Sequence, residues 1–233
     1  PALDLCYQAI DAGMHIVLAN KGPVAVDYAG LKARADAAGV VLRFEATVMA
    51  GTPALRLALQ NLSGCAITAV RGILNGTTNY ILVQMEQGMS YNAALKQAQT
   101  LGYAETDPTA DVEGWDSAGK AIILAAALFG KQLHLHELTV KGIVDLKDYD
   151  IETARAAGER WKLLATVTPD GGRIEPVRLS HDNPLAGVGG ATNAITLTTD
   201  LLGNVTLIGP GAGRVQTGFA LLGDIIDICQ HYS

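Results

Sequence analysis

The sequence predicts an α/β segment joined to an α+β domain with an open mixed sheet. Two patterns lead there. Up to about residue 50, short apolar strands alternate with helical stretches, the rhythm of a doubly wound sheet. Beyond Pro53 that alternation stops. Strand runs lie close together around turn signals, of which Pro169-Asp170-Gly171-Gly172 is the strongest. At 233 residues the chain has length for one large domain or one and a half small ones.

In order, Leu3–Ala12 reads as a helix ended by Gly13, His15–Ala19 as a short apolar strand, and Tyr28–Ala38 as a helix stopped at Gly39. Val40–Phe44 is the next strand. This stretch matches the last third of a dinucleotide-binding domain. The opening strand, its glycine-rich turn and the ribose-binding acid are not among these residues. Ala54–Leu62 then reads as a helix, Ala66–Leu74 as a β-branched strand and Thr77–Gln87 as a helix ending at Gly88. Ser90 caps a further helix that carries Ala94, Leu95 and Ala98 toward Gly102. From Trp115 to Phe129, Ala118, Ile122, Ala125 and Ala126 recur at helical spacing. Thr139–Asp145 is a strand, Ile151–Ala157 a helix, and Lys162–Val167 and Arg173–Ser180 form a hairpin. Ala191–Thr199 and Asn204–Ile208 are strands, and Val215–Ile228 closes as a helix.

A hydrophobic share of 49% with 17% charged residues indicates a globular chain with a substantial core. The net charge of −6 opposes sequence-independent binding to nucleic acid or to an anionic membrane, and no basic patch accumulates. Apolar runs such as Ala121–Phe129 fall well short of the roughly 20 residues that span a bilayer. Cys6, Cys65 and Cys229 are far apart and odd in number, which favours a reducing cytoplasm over a disulfide framework. The five histidines form no ligand cluster, so no transition-metal site is expected. The chain opens on Pro1 without a visible signal peptide, and its true N-terminus is expected upstream.

The residues between Glu105 and Lys120 hold the densest chemistry. Glu105, Asp107, Asp111 and Glu113 precede an Asp116–Lys120 pair at i,i+4 spacing near a helix start. On spacing alone this is either a surface pair worth a few tenths of a kcal/mol or a lysine tuned as a base. Asn20-Lys21-Gly22-Pro23 follows the end of a strand, where open α/β sheets place ligands; an exposed loop lysine is the other reading. Asn75-Gly76-Thr77-Thr78-Asn79 offers amides and hydroxyls at a helix start, suited to a carboxylate or to a simple N-cap. Gly209-Pro210-Gly211-Ala212-Gly213 fails as an independent nucleotide fingerprint, because the third glycine falls at Arg214 and no strand with an acid follows. It either brings amides near a cofactor or simply starts a helix. The loop from Phe44 to Pro53 reads as an interdomain hinge.

Several ordered motifs coincide: Val17–Ala25, Phe44–Pro53, Arg71–Tyr80, Gly102-Tyr103-Ala104-Glu105 and the Asp116/Lys120 helix. Together they resemble the homoserine dehydrogenase family over nearly the whole chain, most weakly between about Lys147 and Pro184. The resemblance implies three parts. Residues 1–50 would end a Rossmann-type dinucleotide-binding domain, 51–208 would bind substrate and dimerise, and 209–233 would return to the nucleotide domain. It implies NADP or NAD as cofactor, contacted by Asn20, Lys21, Gly211 and Gly213. L-Homoserine would be held by Glu105 and Asp116 through its amino group, with Asp111, Asn75, Gly76 and Thr77 completing the site. Lys120 and Lys21 would be catalytic. A lysine base must act neutral, so its pKa must be drawn down by desolvation or a neighbouring cation. A sodium or potassium ion would sit on backbone carbonyls near Glu45, Val48, Ala50 and Thr52, oxygen donors that suit a hard cation. Met49 departs from the smaller residue common there.

The reaction implied interconverts L-homoserine and L-aspartate 4-semialdehyde in threonine and methionine biosynthesis. The alternatives are a related amino-acid dehydrogenase with another substrate, or a non-catalytic oligomerisation fragment. The chain alone is expected to be inactive. A cytoplasmic homodimer is expected because Ala66–Leu74, Thr139–Asp145 and Ala191–Thr199 present more apolar sheet than the helices can cover on both faces.

Overall fold

The computed structural model describes residues 1–231. Strands β1 (Ile16–Val17) and β2 (Leu42–Arg43) pair in parallel. Helix α1 (Ala2–Asp11) packs on β1, and α2 (Lys21–Ala38) on β2 and α1. The α2 helix opens well before the expected Tyr28, because the Asn20 side chain accepts from Gly22 N at 2.9 Å and caps it. Pro23 is tolerated in that first turn, where its missing N–H is not needed. Asp27 then takes a non-helical conformation, and only the stretch beyond it carries the expected periodicity. Two short helices follow, α3 (Ala46–Met49) and α4 (Ala54–Arg56), the latter running into a π turn over Leu57–Asn61.

The main sheet has six strands: β3 (Ile67–Ile73), β4 (Thr139–Val140), β5 (Glu159–Thr168), β6 (Gly171–Ser180), β7 (Thr192–Thr199) and β8 (Gly203–Pro210). Their order is β4-β6-β5-β3-β7-β8, antiparallel except for the β4–β6 pair. The β5–β6 ladder closes at Thr168↔Gly171, so the turn is only Pro169-Asp170, and the two glycines belong to the strand. The remaining helices are α5 (Gly76–Glu86), α6 (Tyr91–Thr100), α7 (Thr109–Val112), α8 (Trp115–Phe129), α9 (Asp148–Ala156) and α10 (Arg214–His231).

One face of the sheet meets the helices. Val70, Leu163, Ala165, Val167, Ile195 and Leu197 pack into a core shared with Ile81, Leu82 and Ile123, and that core continues into Leu31 of α2. On the opposite face Ile73, Leu164, Leu179 and Ala194 are covered by Leu185, Ala186 and Val188 of the 181–190 segment. Beyond that cover, Arg71 is paired in register with Thr166 and Thr196, and Thr196 with Thr206. The expected bare apolar face is therefore corrected: part is covered by a loop, and Arg71, Thr166, Thr196 and Thr206 make the neighbouring part polar.

The expected strand Thr139–Asp145 ends at Val140. Gly142 explains this. A Cβ there would lie 2.0 Å from the Val112 carbonyl oxygen, and Ile143 N donates to that same oxygen at 2.8 Å. The chain is drawn off the sheet edge and onto α7. At the other end, α10 packs back on β1 and α3. Arg43–Asp227 and Arg56–Asp224 ion pairs, each 2.8 Å, tie it to β2 and α4. Among the described residues no helix is long and apolar enough to cross a membrane.

Candidate active site

A cavity of about 730 Å³ opens where α2, α3, α5, α8 and the start of α10 converge. Lys21, Gly76, Glu105, Asp116, Lys120 and Gly211 are among its lining residues. Such a volume suits a small metabolite beside part of a cofactor.

Asp116 bridges two lysines. Its Oδ1 accepts from Lys21 at the head of α2, and its Oδ2 accepts from Lys120 one helical turn along α8 at 2.7 Å. Lys120 Nζ also donates to the Leu74 carbonyl at 2.6 Å. Lys120 is 8% exposed, so the surface-pair reading of the i,i+4 spacing does not hold. Burial pushes the Lys120 ammonium below its ordinary value; the Asp116 carboxylate opposes this, and Lys21 adds a smaller push down. Desolvation, rather than repulsion from Lys21, is thus the main cause. Burial acts to raise the Asp116 carboxyl, but Lys120 and Lys21 together outweigh it and hold the group well below the usual carboxylate range.

Asn75 is the hub of the polar wall. As N-cap of α5 its Oδ1 accepts from Thr78 N at 2.9 Å. Its Nδ2 donates to Asp111 at 2.6 Å and to Asp116 at 3.1 Å. One amide therefore orders both carboxylates. Burial raises the Asp111 carboxyl, with the Asn75 bond opposing and the Asp116 charge adding to the rise. The Thr77 hydroxyl donates to the Tyr103 carbonyl at 2.6 Å, where it steadies the Gly102–Glu105 loop, and it lies close enough to Asp111 to favour that carboxylate. Glu105 is exposed and lines the cavity from that loop. Gly76 and Thr77 line it with the first turn of α5, where backbone amides point along the helix axis.

The residues expected to hold a cofactor lie at one corner. Gly211, Ala212 and Gly213 line the cavity just before α10 begins at Arg214, beside Ala19 and Lys21. Both glycines are dictated by their own surroundings. A Cβ at Gly211 would overlap the Asn193 side chain at 2.0 Å, and Gly213 sits at φ 125°. Ala19, Gly211, Ala212 and Gly213 line this corner with backbone and small side chains, which leaves room for part of a cofactor. The Asn20 side chain is used as the α2 cap instead of facing the cavity.

The loop expected to hold a cation is built differently from a plain hinge. The Glu45 carboxylate is buried and accepts from Leu55 N at 3.0 Å and Arg56 N at 2.6 Å, so it caps α4. Burial lifts its carboxyl to about 7, against the pull of those two amides. Thr52 donates its hydroxyl to the Pro210 carbonyl at 2.9 Å. Ala50 takes φ 45°, ψ −115°, a conformation rarely held without compensation. Val48 and Ala50 line the cavity. The backbone oxygens of this strained turn suit a hard cation in donor type; Glu45 contributes no free carboxylate.

Lys162 escaped the sequence reading, and Asn79, read there only as part of a helix start, turns out to be its partner. Asn79, one turn beyond Asn75, and Lys162, on β5, are buried and bonded to each other at 2.9 Å. A charge inside the apolar run Trp161-Lys162-Leu163-Leu164-Ala165 was the one signal available.

The homoserine dehydrogenase family model matches residues 53–226. An NAD(+)-dependent homoserine dehydrogenase from Pseudomonas canavaninivorans is 50% identical over 235 aligned residues, covering 99% of this chain and 67% of that protein. The crystal structure of a putative homoserine dehydrogenase from Archaeoglobus fulgidus superposes with a TM-score of 0.93 at 36% identity, covering 97% of this chain and 70% of the other. A hyperthermophilic archaeal homoserine dehydrogenase in complex with NADPH has a TM-score of 0.87 at 34% identity, covering 100% of this chain and 69% of its own. This chain spans about two thirds of the length of these three proteins. The match spans nearly the whole chain, and the chain belongs to the homoserine dehydrogenase family of oxidoreductases.

Proposed function

We propose that the cavity carries out the interconversion of L-homoserine and L-aspartate 4-semialdehyde with NAD or NADP, a step on the route to threonine and methionine. The observation that carries this reading is a buried lysine, Lys120, joined through one carboxylate to a second lysine at the cavity mouth. Lys120 takes the hydroxyl proton of homoserine as hydride leaves the carbon bearing that hydroxyl; in reverse it returns the proton to the aldehyde oxygen. A nicotinamide held beside Lys21, Gly211 and Gly213 would supply the hydride acceptor. Lys21, more exposed, meets the same oxygen from the cofactor side and stabilises charge developing there. Asp116 aligns the two lysines, and Asn75 aligns Asp116. With Asp116 engaged on both oxygens, Glu105 and Asp111 are left to hold the substrate ammonium. The α5 N-terminus at Gly76 and Thr77 takes its carboxylate. A sodium or potassium ion on the Glu45–Thr52 loop would brace the turn against the cofactor corner.

Calorimetry with L-homoserine tests the substrate assignment. Glu105→Ala is expected to weaken binding about tenfold, the scale of one charge-assisted contact. Unchanged affinity would remove Glu105 from the site.

The family resemblance further supports a cytoplasmic homodimer formed through the outer face of β3, β7 and β8. The polar part of that face makes any such pairing one of hydrogen bonds and shape as much as apolar burial.

A further inference from the structure

Lys162 and Asn79 stand apart from the reacting groups, yet their arrangement has a consequence for the cavity. Asn79 is 1% exposed and Lys162 is fully buried. The Asn79 Nδ2 lies within hydrogen-bond distance of three carbonyls of one segment: Val188 at 3.2 Å, Gly190 at 2.9 Å and Thr192 at 3.3 Å. Two protons are shared among three acceptors. The Asn79 Oδ1 accepts from Lys162 Nζ at 2.9 Å, and Nζ also donates to the Val188 carbonyl at 2.7 Å. Val188 is buried, and carbonyls of an irregular stretch must find donors away from any ladder; here one amide and one ammonium supply them.

That segment leads directly into the cavity wall. Ala191 and Gly76 both line the cavity, and a Cβ on Gly76 would fall 2.5 Å from the Ala191 carbonyl oxygen. The segment is pressed against the first turn of α5 so closely that only glycine fits. A shift of 188–192 would therefore move the surface that faces the substrate carboxylate.

We propose that Lys162 and Asn79 are positioning residues that fix the 188–192 segment and thereby set the Gly76–Ala191 wall of the homoserine site. The proposal rests on the substrate reading above and deepens it. A purely structural role would predict an apolar residue on this strand, since an ammonium costs more to bury than a methionine of similar size. The lysine stands where its charge strengthens bonds to a loop that borders the cavity.

The charge of Lys162 gives the proposal a signature. Burial lowers its ammonium to about 8; Glu86 on α5 opposes this and Arg160 on the same strand adds to it. His181 faces Glu86 from beyond β6. As pH rises through about 8, the folded protein loses this proton and the hold on Val188 weakens locally. An unfolded lysine keeps its proton to roughly 10.4, so over that window global stability rises with pH while the local anchor loosens. Opposite trends separate positioning from bulk stability.

The test compares wild type with Lys162→Met and Lys162→Arg by homoserine calorimetry at pH 7 and pH 9. The Met variant is expected to bind about tenfold more weakly at pH 7, the loss of a charge-assisted bond. The Arg variant is expected to retain affinity and to show a smaller loss at pH 9 than wild type. Wild-type affinity in the Met variant, or an unchanged pH 9 loss in the Arg variant, overturns the proposal. Amide exchange in the wild-type chain covers variants that do not fold. Protection over 188–192 should fall between the two pH values relative to the rest of β7, and equal protection also overturns it. If wild type binds no homoserine, the substrate reading fails, and the exchange result still decides the anchor.

Discussion

Lys120 can act as a base only while neutral, and three neighbours decide when that happens. Burial favours the neutral amine, Asp116 favours the ammonium, and Lys21 sides with burial. Asp116→Asn keeps the shape and removes the largest opposing effect. The Lys120 pKa must then fall further, and the rise of homoserine oxidation with pH should move to lower pH, with a reduced plateau because the lysines lose their shared partner. The profile of kcat against pH checks this; a midpoint that stays in place would separate Lys120 from the titration. At this scale the sequence was legible where chemistry follows spacing: Asp116 and Lys120 lie one helical turn apart, and both meet the cavity. It was not legible where a side chain serves the backbone. The Thr77 hydroxyl binds the Tyr103 carbonyl, and the Glu45 carboxylate caps α4, because partners from distant loops arrive only on folding.

Elements with a cap and a period were readable. Ser90 accepts from Ala93 N at 3.4 Å as the N-cap of α6, and Gly39 closes α2 at φ 68°. The Pro169-Asp170 hairpin fell where its turn residues placed it, although the ladder took in both glycines. Misreadings came from tertiary contact. The Thr139–Asp145 stretch has the β-branched look of a strand, but Gly142 admits the Val112 carbonyl so closely that the chain leaves the sheet after Val140. That departure helps hold α7, and with it Asp111, against the cavity. Likewise α2 begins at Lys21 because Asn20 caps it, which moves the lysine from a loop to a helix head aimed at Asp116. Helix start and active-site geometry are here one feature.

Across the whole molecule, the cavity lies where the small parallel sheet, the helices on the main sheet and the returning α10 meet. The fold class was readable from alternating elements early in the chain and mixed ones later. Coverage of the outer sheet face was not, because the 181–190 segment shows no periodic pattern yet buries Leu185, Ala186 and Val188 on it. The proposed homodimer is checked by light scattering during size exclusion at micromolar concentration. Twice the 24.3 kDa chain mass is expected, and a strictly monomeric mass would refute it. Along α10, Val215, Phe219, Leu222 and Ile226 form an exposed apolar stripe, a second face that such a measurement would report on if occupied. The central claim, that Lys120 is the base of a homoserine dehydrogenase, is tested most directly by single-turnover kinetics of Lys120→Ala in the active enzyme with saturating L-homoserine and nicotinamide. The chemical step should slow by about a hundredfold or more, the scale of a lost general base, while homoserine still binds. A variant that transfers hydride at a near-normal rate would contradict the assignment.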